Sequence, residues 1–144
     1  MNLVDANVLL YAVNESAEHH EESLAWVDEA LSGREPVGFS WVVLLAFTRL
    51  STKIGLFPHP LRVEHALRQI SDWLTQPPSV VLEPTVRHLA ILTGLLNQVG
   101  AGGNLVSDAH LAALAVEHGA TIITYDNDLG RFPGVDWRRP PGQA

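Results

Sequence analysis

Four aspartates stand at places in the sequence where a carboxylate could bind a metal ion. Asp5 directly follows the apolar residues Leu3 and Val4, and Asp126 and Asp128 follow an apolar, β-branched run. Both runs predict strands, and the ligands of open α/β sheets bind at the carboxyl ends of strands. Each acid also has an ordinary explanation, because Asp is a preferred helix cap and a common turn residue. Taken one at a time, the cap and the turn are the better interpretations.

Asp108, the fourth of these aspartates, lies on the apolar face of a helix predicted over residues 104–118. Its neighbours at helical spacing include the apolar residues Leu105, Leu111, Ala112 and, one turn on, Ala115. A buried carboxylate is costly unless a metal ion, a cationic partner or protonation compensates it. An Asp in a first turn can also stabilise the helix dipole from a half-exposed position. The apolar surroundings favour the functional role.

The four aspartates could form one group. If the strands before Asp5 and Asp126 are parallel neighbours, these acids and Asp128 share an edge that the buried side of Asp108 can reach. Two carboxylates about 4 Å apart repel by roughly 4 kcal/mol at an effective dielectric of ~20. A divalent cation removes that cost, and oxygen ligands select a hard ion such as Mg²⁺ or Mn²⁺. The predicted chemistry is phosphoryl transfer by metal-activated water.

The elements that must position these acids alternate along the chain as strand, helices, strand, helices, strand, helices and strand. This order predicts the α/β class, with a short, mostly parallel sheet flanked by helices on both faces. We expect a single domain over residues 1–138, which includes an edge strand at 135–137. Residues 139–144 are rich in Pro and Gly and predict a flexible tail.

Composition limits the class of protein. The 144 residues, 47% of them hydrophobic, suit one domain with a substantial core. The absence of cysteine excludes disulfides and thiolate metal sites, and we expect a reducing, cytoplasmic location. No apolar run is long enough to cross a bilayer, and we expect no signal peptide, because the first residues lack its basic region, apolar stretch and cleavage site. A net charge of -7 opposes binding of nucleic acid through a broad basic face, so such a site must be local or metal-assisted.

Three segments, residues 3–9, 103–115 and 124–132, hold all four aspartates. Their order and spacing resemble the PIN-domain toxins of the VapC type, and the resemblance spans residues 3–137. It implies a PIN-like domain with Mg²⁺-dependent endoribonuclease activity, in which Mn²⁺ could replace Mg²⁺. It also implies the toxic half of a type II toxin–antitoxin pair, a homodimer, and a cognate VapB-type antitoxin that blocks the site.

The resemblance assigns roles to the acids. Asp5 and Asp108 match the principal metal ligands of the family, and Asp126 and Asp128 match its C-terminal acids, so all four are candidate catalytic residues. The family often carries a glutamate in its second motif, where this sequence has Ala46. That departure weakens the case for a full second metal site. It favours one cation held by Asp5 and Asp108, with Asp126 as a further candidate ligand.

Three other side chains are candidates for contact with RNA. The resemblance implies that Asn7 and Asn104 support or contact the substrate. Arg49 could hold a phosphate of the RNA backbone or simply be solvated, and we expect it near the phosphate path.

Two other functions remain open. A phosphatase or phospho-accepting receiver would use Asp5 as its nucleophile, but it needs a second acid nearby or a late lysine. Here Asn7 occupies the paired position, and the only lysine is Lys53. The other alternative is a catalytically weakened module that binds RNA or an antitoxin, for which Ala46 is the best argument.

Overall fold

The computed structural model describes residues 1–100 and 102–142. The strands are β1 (Asn2–Val4), β2 (Val37–Phe39), β3 (Ser79–Val81), β4 (Thr121–Ile123) and β5 (Trp137–Arg138). The helices are α1 (Ala6–Val13), α2 (His20–Leu31), α3 (Trp41–Ser51), α4 (Val63–Leu74), α5 (His88–Val99) and α6 (Leu105–His118). A 3-10 helix, Asn127–Arg131, lies between β4 and β5. This element order confirms the predicted α/β class.

The five strands form one sheet in the order β3-β2-β1-β4-β5. Every pair in it is parallel, so the sheet is more uniform than the mostly parallel one predicted. The chain passes from β1 outward to β2 and β3, and then returns to the other side of β1 to form β4. This change of direction is a topological switch point, which leaves a crevice at the carboxyl ends of β1 and β4. Asp5 and Thr124 directly follow these two strands.

Local signals fix the helix ends that border this crevice. The Asp5 side chain caps α1, because its Oδ1 accepts a hydrogen bond from the backbone N–H of Ala6 at 2.7 Å. The α6 helix ends at Gly119, whose φ of 62° lies in the left-handed region that favours glycine. The predicted helix over 104–118 is therefore confirmed to within one residue.

Buried side chains hold both sides of the crevice in place. Leu3 and Val4 of β1 and Ile122 and Ile123 of β4 are each no more than 1% exposed. Beyond β4, Leu129 and Phe132 anchor the 3-10 helix in the core, with exposures of 0% and 2%. The turn that carries Asp126 and Asp128 is therefore attached to the core.

The C-terminal residues differ in detail from the expected pattern. The edge strand β5 covers Trp137–Arg138 and overlaps the predicted strand only at Trp137, because the backbone of Ile122 and of Thr124 bonds to residues 136 and 138. Within the predicted tail, Pro140 is buried, and residues 143 and 144 lie outside the described residues. In the described part of the chain, no helix has the length and apolar character needed to cross a membrane.

Candidate active site

Asp108, Asp126 and Asp128 form a tight acidic group. One carboxylate oxygen from each lies within 4.8 Å of the other two. Asp108 comes from the first turn of α6, whereas Asp126 caps the 3-10 helix and Asp128 lies in its first turn. Oxygens bound to Mg²⁺ at about 2.1 Å can lie at most about 4.2 Å apart, so small side-chain movements would bring all three within reach of one ion. Their all-oxygen chemistry fits a hard divalent cation.

Asp5 lies beside this group but outside its 4.8 Å limit. One of its oxygens caps α1, and the other accepts a hydrogen bond from the Thr124 hydroxyl at 2.7 Å. The helix-cap interpretation of Asp5 is thus confirmed. The cap does not exclude a role in metal binding, because a carboxylate has about four lone-pair sites.

Electrostatics tie Asp5 to the three other acids. Burial, followed by the charges of Asp126, Asp5 and Asp128, raises the pKa of Asp108 to about 6. Burial also raises the pKa of Asp5, against the lowering effect of hydrogen bonds from Thr124 and Ala6, and the charge of Asp126 adds to the increase. The carboxylates of Asp5 and Asp108 therefore resist ionisation in the absence of a cation. A bound divalent ion would relieve this repulsion.

Thr124 is a central residue of the site that the sequence analysis did not identify. Its fully buried hydroxyl donates to Asp5 Oδ2 and accepts from Asn7 Nδ2 and from the backbone N–H of Asp126, both at 3.0 Å. It therefore links the acid after β1 to the acid after β4. The spacing of Thr124 and Asp126 offered one signal, because a threonine hydroxyl commonly accepts from the backbone two residues on.

Asn7 fastens α1 to the turn that follows β4. Its Oδ1 accepts from the backbone N–H of Tyr125 at 3.1 Å, and its Nδ2 donates to Thr124 at 3.0 Å and to Asp5 at 3.4 Å. Both ends of the amide thus make internal hydrogen bonds. This arrangement gives Asn7 a positioning role, and the contact with RNA predicted for it stays a prediction.

A cavity of about 210 Å³ opens beside Asp5 and Asp108. Ala46 and Arg49 of α3 line it as well, so the residue in place of the family glutamate faces the same space as two of the acids. The exposed Arg49 side chain has no carboxylate within 4.0 Å in the described residues. Asn104 is exposed at the start of α6, one turn before Asp108, and among the described residues it is not part of this cavity wall.

A second group of titratable side chains joins α5 to α6. His88 Nδ1 lies 2.6 Å from a carboxylate oxygen of Glu117, and His88 Nε2 lies 3.0 Å from Nδ1 of His110. The Glu117 side chain is fully buried, and it also accepts hydrogen bonds from the backbone and hydroxyl of Thr85. Nothing in the sequence indicated this network, because the contacts of His88 join residues 22 and 29 positions apart in the chain.

Comparison with known proteins agrees with this geometry. The family model of the PIN domain matches residues 3–135. This chain belongs to the PIN-domain family. It is 62% identical to ribonuclease VapC37 of Mycobacterium tuberculosis over 141 residues, which cover 98% of each chain. The sequence resemblance to PIN domains of the VapC type is therefore confirmed.

Solved structures share the fold of this PIN domain. VapBC2 from Rickettsia felis, bound to a DNA fragment from the promoter, aligns over 96% of this chain and 97% of that chain, with a TM-score of 0.67 and 17% identity. VapC20 of Mycobacterium tuberculosis, a toxin that cleaves the sarcin–ricin loop, aligns over 90% and 93%, with a TM-score of 0.68 and 15% identity. At these identities the likeness establishes the fold alone.

Proposed function

We propose that this PIN domain is a metal-dependent endoribonuclease and the toxin of a type II toxin–antitoxin pair. The observation that carries the proposal is the convergence of Asp108, Asp126 and Asp128 beside Asp5 at the switch point of the sheet. The identity of 62% to a protein named as a ribonuclease supports the same activity. The proposed substrate is RNA, and the proposed bond is its phosphodiester.

In this mechanism Asp5 and Asp108 hold the cation, with Asp126 as a further ligand. Mg²⁺ is the proposed ion and Mn²⁺ a substitute; when bound, it would activate water and screen the charge of the phosphodiester. Asp128, the exposed member of the group, orients the attacking water and receives its proton. Thr124 keeps the second oxygen of Asp5 in place.

The surrounding residues position the RNA. Arg49 is the best candidate for a phosphate contact, because its side chain reaches the cavity wall beside Asp5 and Asp108. The exposed Asn104 amide can donate to the strand where it leaves the acids. Ala46 leaves the α3 side of the cavity without a carboxylate, which supports one cation over two.

The activity is tested with purified protein, freed of any antitoxin, and cellular RNA. We expect cleavage with Mg²⁺ or Mn²⁺, no cleavage in EDTA, and recovery when the ion is restored. Asp5→Asn and Asp108→Asn should lower the rate at least a hundredfold, whereas Asp72→Asn, at an exposed position of α4, should leave it unchanged. Cleavage that persists in both site variants would refute the assignment.

A catalytically weakened binding module is the second candidate. The observation that favours it is Ala46, which removes a carboxylate from the wall of the cavity. The same experiment separates the two functions. RNA that binds but is not cut at any concentration of Mg²⁺ or Mn²⁺ would support the module.

The proposed partners are a VapB-type antitoxin and a second copy of this chain, in the cytoplasm. Support comes from a structural neighbour solved as a VapBC complex. Co-expression with the product of a short adjacent gene should give a complex without ribonuclease activity. Light scattering of the purified toxin should give twice the chain mass of 15.7 kDa, and a monomer at micromolar concentration would contradict the homodimer.

A further inference from the structure

A second and larger cavity, of about 580 Å³, opens along one face of α2. The starts of β1 and β2 and the residues after β5 form its other walls, and the indole of Trp26 lines it. Its volume falls within the range of about 300 to 1,000 Å³ that is usual for sites of small organic groups. One aromatic side chain in a cavity of this size can stack on a flat ring.

The charge of this cavity differs from that of the whole chain. Arg34, Arg138 and Arg139 line it, which is three of the nine Lys and Arg residues in a chain of net charge -7. In the part of the chain that the structure describes, none of the three guanidinium groups has a carboxylate within 4.0 Å. Arg138 donates to the neutral side-chain oxygen of Asn2 at 3.4 Å, and Arg139 to that of Asn127 at 3.0 Å. Since a guanidinium group has five N–H donors, others remain for an anion.

Carboxylates also line the cavity but do not outweigh these cations. They belong to Glu22, Glu29 and Glu35. Glu35 is paired with the α-ammonium group of Met1 at 3.0 Å. The three carboxylates thus balance the three guanidinium groups of the lining, and the Met1 ammonium group offsets one of these carboxylates from outside the cavity wall.

Two sets of contacts connect the wall of this cavity to residues that neighbour the acids in the chain. Arg139 donates a hydrogen bond at 3.0 Å to the side-chain oxygen of Asn127, the residue between Asp126 and Asp128. On the other side, the His19 ring lies 3.3 Å from a carboxylate oxygen of Glu22 and stacks on Tyr125 at 4.4 Å. A strand that crosses the acids can thus continue over Arg139 into the cavity.

We propose that this cavity is a nucleotide subsite for the RNA strand, and the inference rests on the proposed ribonuclease function. An unpaired base enters the cavity and stacks on Trp26, and the phosphates of the strand contact Arg34, Arg138 and Arg139. Proteins bind single-stranded RNA in this way, with aromatic rings under splayed bases and guanidinium groups along the backbone. The substrate is therefore a single-stranded segment or loop that extends beyond the scissile bond.

The subsite is tested with two series of oligonucleotides, one shortened from the 5′ end and one from the 3′ end. For substrates that reach the cavity, Trp26→Ala should raise KM by roughly 5- to 150-fold, as expected for loss of one base stack, with kcat within about twofold. In one of the two series, Trp26→Ala should no longer raise KM once the oligonucleotide is too short to contain the nucleotide that enters the cavity. Trp26→Phe should keep most of the affinity.

A second variant guards against poor folding of the Trp26 variants, since this side chain also packs against the core. Arg34→Gln changes an exposed residue of the cavity and should raise KM for long substrates only. Its matched control is Arg68→Gln, at an exposed position of α4 outside the cavity, which should leave KM unchanged. A KM that does not depend on Trp26 or Arg34, or that rises equally for short and long substrates, would overturn the subsite.

An equilibrium measurement separates the two proposals. Fluorescence anisotropy in EDTA reports the binding of a labelled single-stranded RNA to the full chain with Asp108→Asn, alone and combined with Trp26→Ala. If the unmodified chain cuts no RNA, the proposed function fails, yet a fivefold loss of affinity on adding Trp26→Ala still supports the subsite. Equal affinities overturn the subsite while leaving the proposed function in place.

Discussion

Replacement of Thr124 by valine tests how the site is held together. The change keeps the shape of the side chain but removes the hydroxyl that donates to Asp5 and accepts from Asn7 and Asp126. A hydrogen bond to a charged group contributes about 1.5 to 3 kcal/mol, and a buried donor left without an acceptor costs about 1 to 3 kcal/mol. Because Asn7 keeps a weaker bond to Asp5, we expect a total loss of about 2 to 4 kcal/mol.

Urea denaturation at pH 7 without divalent ions measures this loss. Thermal unfolding should show the same loss as a lower Tm. At this chain length 1 kcal/mol corresponds to about 3 °C, so we expect a Tm lower by roughly 6 to 12 °C. The control is Thr121→Val in β4, where no side-chain hydrogen bond of the hydroxyl is found among the described residues. We expect that control to change stability by less than about 0.5 kcal/mol.

The pH dependence of the Thr124 effect follows from the partner of the hydroxyl. Burial raises the pKa of Asp5, while the bond from Thr124 lowers it, so the valine variant raises this pKa further. The lost bond is strongest to the ionised carboxylate, so the difference in stability should grow as the pH rises through the titration of Asp5 and shrink in acid. Equal stabilities of Thr124→Val and Thr121→Val at pH 7 would refute the reasoning.

Three further predictions concern charge, a buried network and packing. Because burial and the neighbouring carboxylates raise the pKa of Asp108 to about 6, activity at subsaturating Mg²⁺ should fall about tenfold per pH unit below 6. Without metal, the stability of the fold should decrease as the pH rises from about 4 towards 6, because the folded chain binds the proton of Asp108 more tightly than the unfolded chain does. Glu117→Gln should cost about 1 to 3 kcal/mol by chemical denaturation, because its buried carboxylate lies 2.6 Å from His88. Gly130→Ala should cost about 1 to 3 kcal/mol, because a Cβ there would lie 2.8 Å from Trp137 Nε1.

Each of these has a control or a contradicting result. A rate that is flat between pH 5 and 7 would contradict the competition between proton and metal. Glu18→Gln changes an exposed carboxylate and should have no effect on stability. If Glu117→Gln also left the free energy of unfolding unchanged, the His88 network would not stabilise the fold. Gly94→Ala in α5 meets no atom within 4 Å and should stabilise the chain by about 0.5 to 1 kcal/mol, opposite in sign to Gly130→Ala.

Patterns close together in the chain allowed much of the fold to be predicted. The alternation of strands and helices indicated the parallel sheet, and the helix predicted around Asp108 corresponds to α6. Asp5 and Asp126 could be expected at one edge because strand ends of a parallel sheet meet there. These inferences depend on spacing within a segment and on general rules of topology.

Contacts between distant segments could not be predicted in the same way. The bond between Thr124 and Asp5 joins residues 119 positions apart, and the His88 network joins α5 to α6. The sequence alone also could not show that the Asn7 side-chain amide makes hydrogen bonds within the protein. The cavity at Trp26 depends on residues after β5 that composition had marked as a flexible tail.

The central claim is that the four aspartates form a site for a divalent cation. Electron paramagnetic resonance of free Mn²⁺, titrated with the purified chain at pH 7.5, measures this directly. We predict that the unmodified chain binds Mn²⁺, that Asp108→Asn weakens binding at least tenfold, and that Asp72→Asn binds as the unmodified chain does. Failure to bind Mn²⁺ at millimolar concentration, or equal binding by Asp108→Asn, would contradict the account.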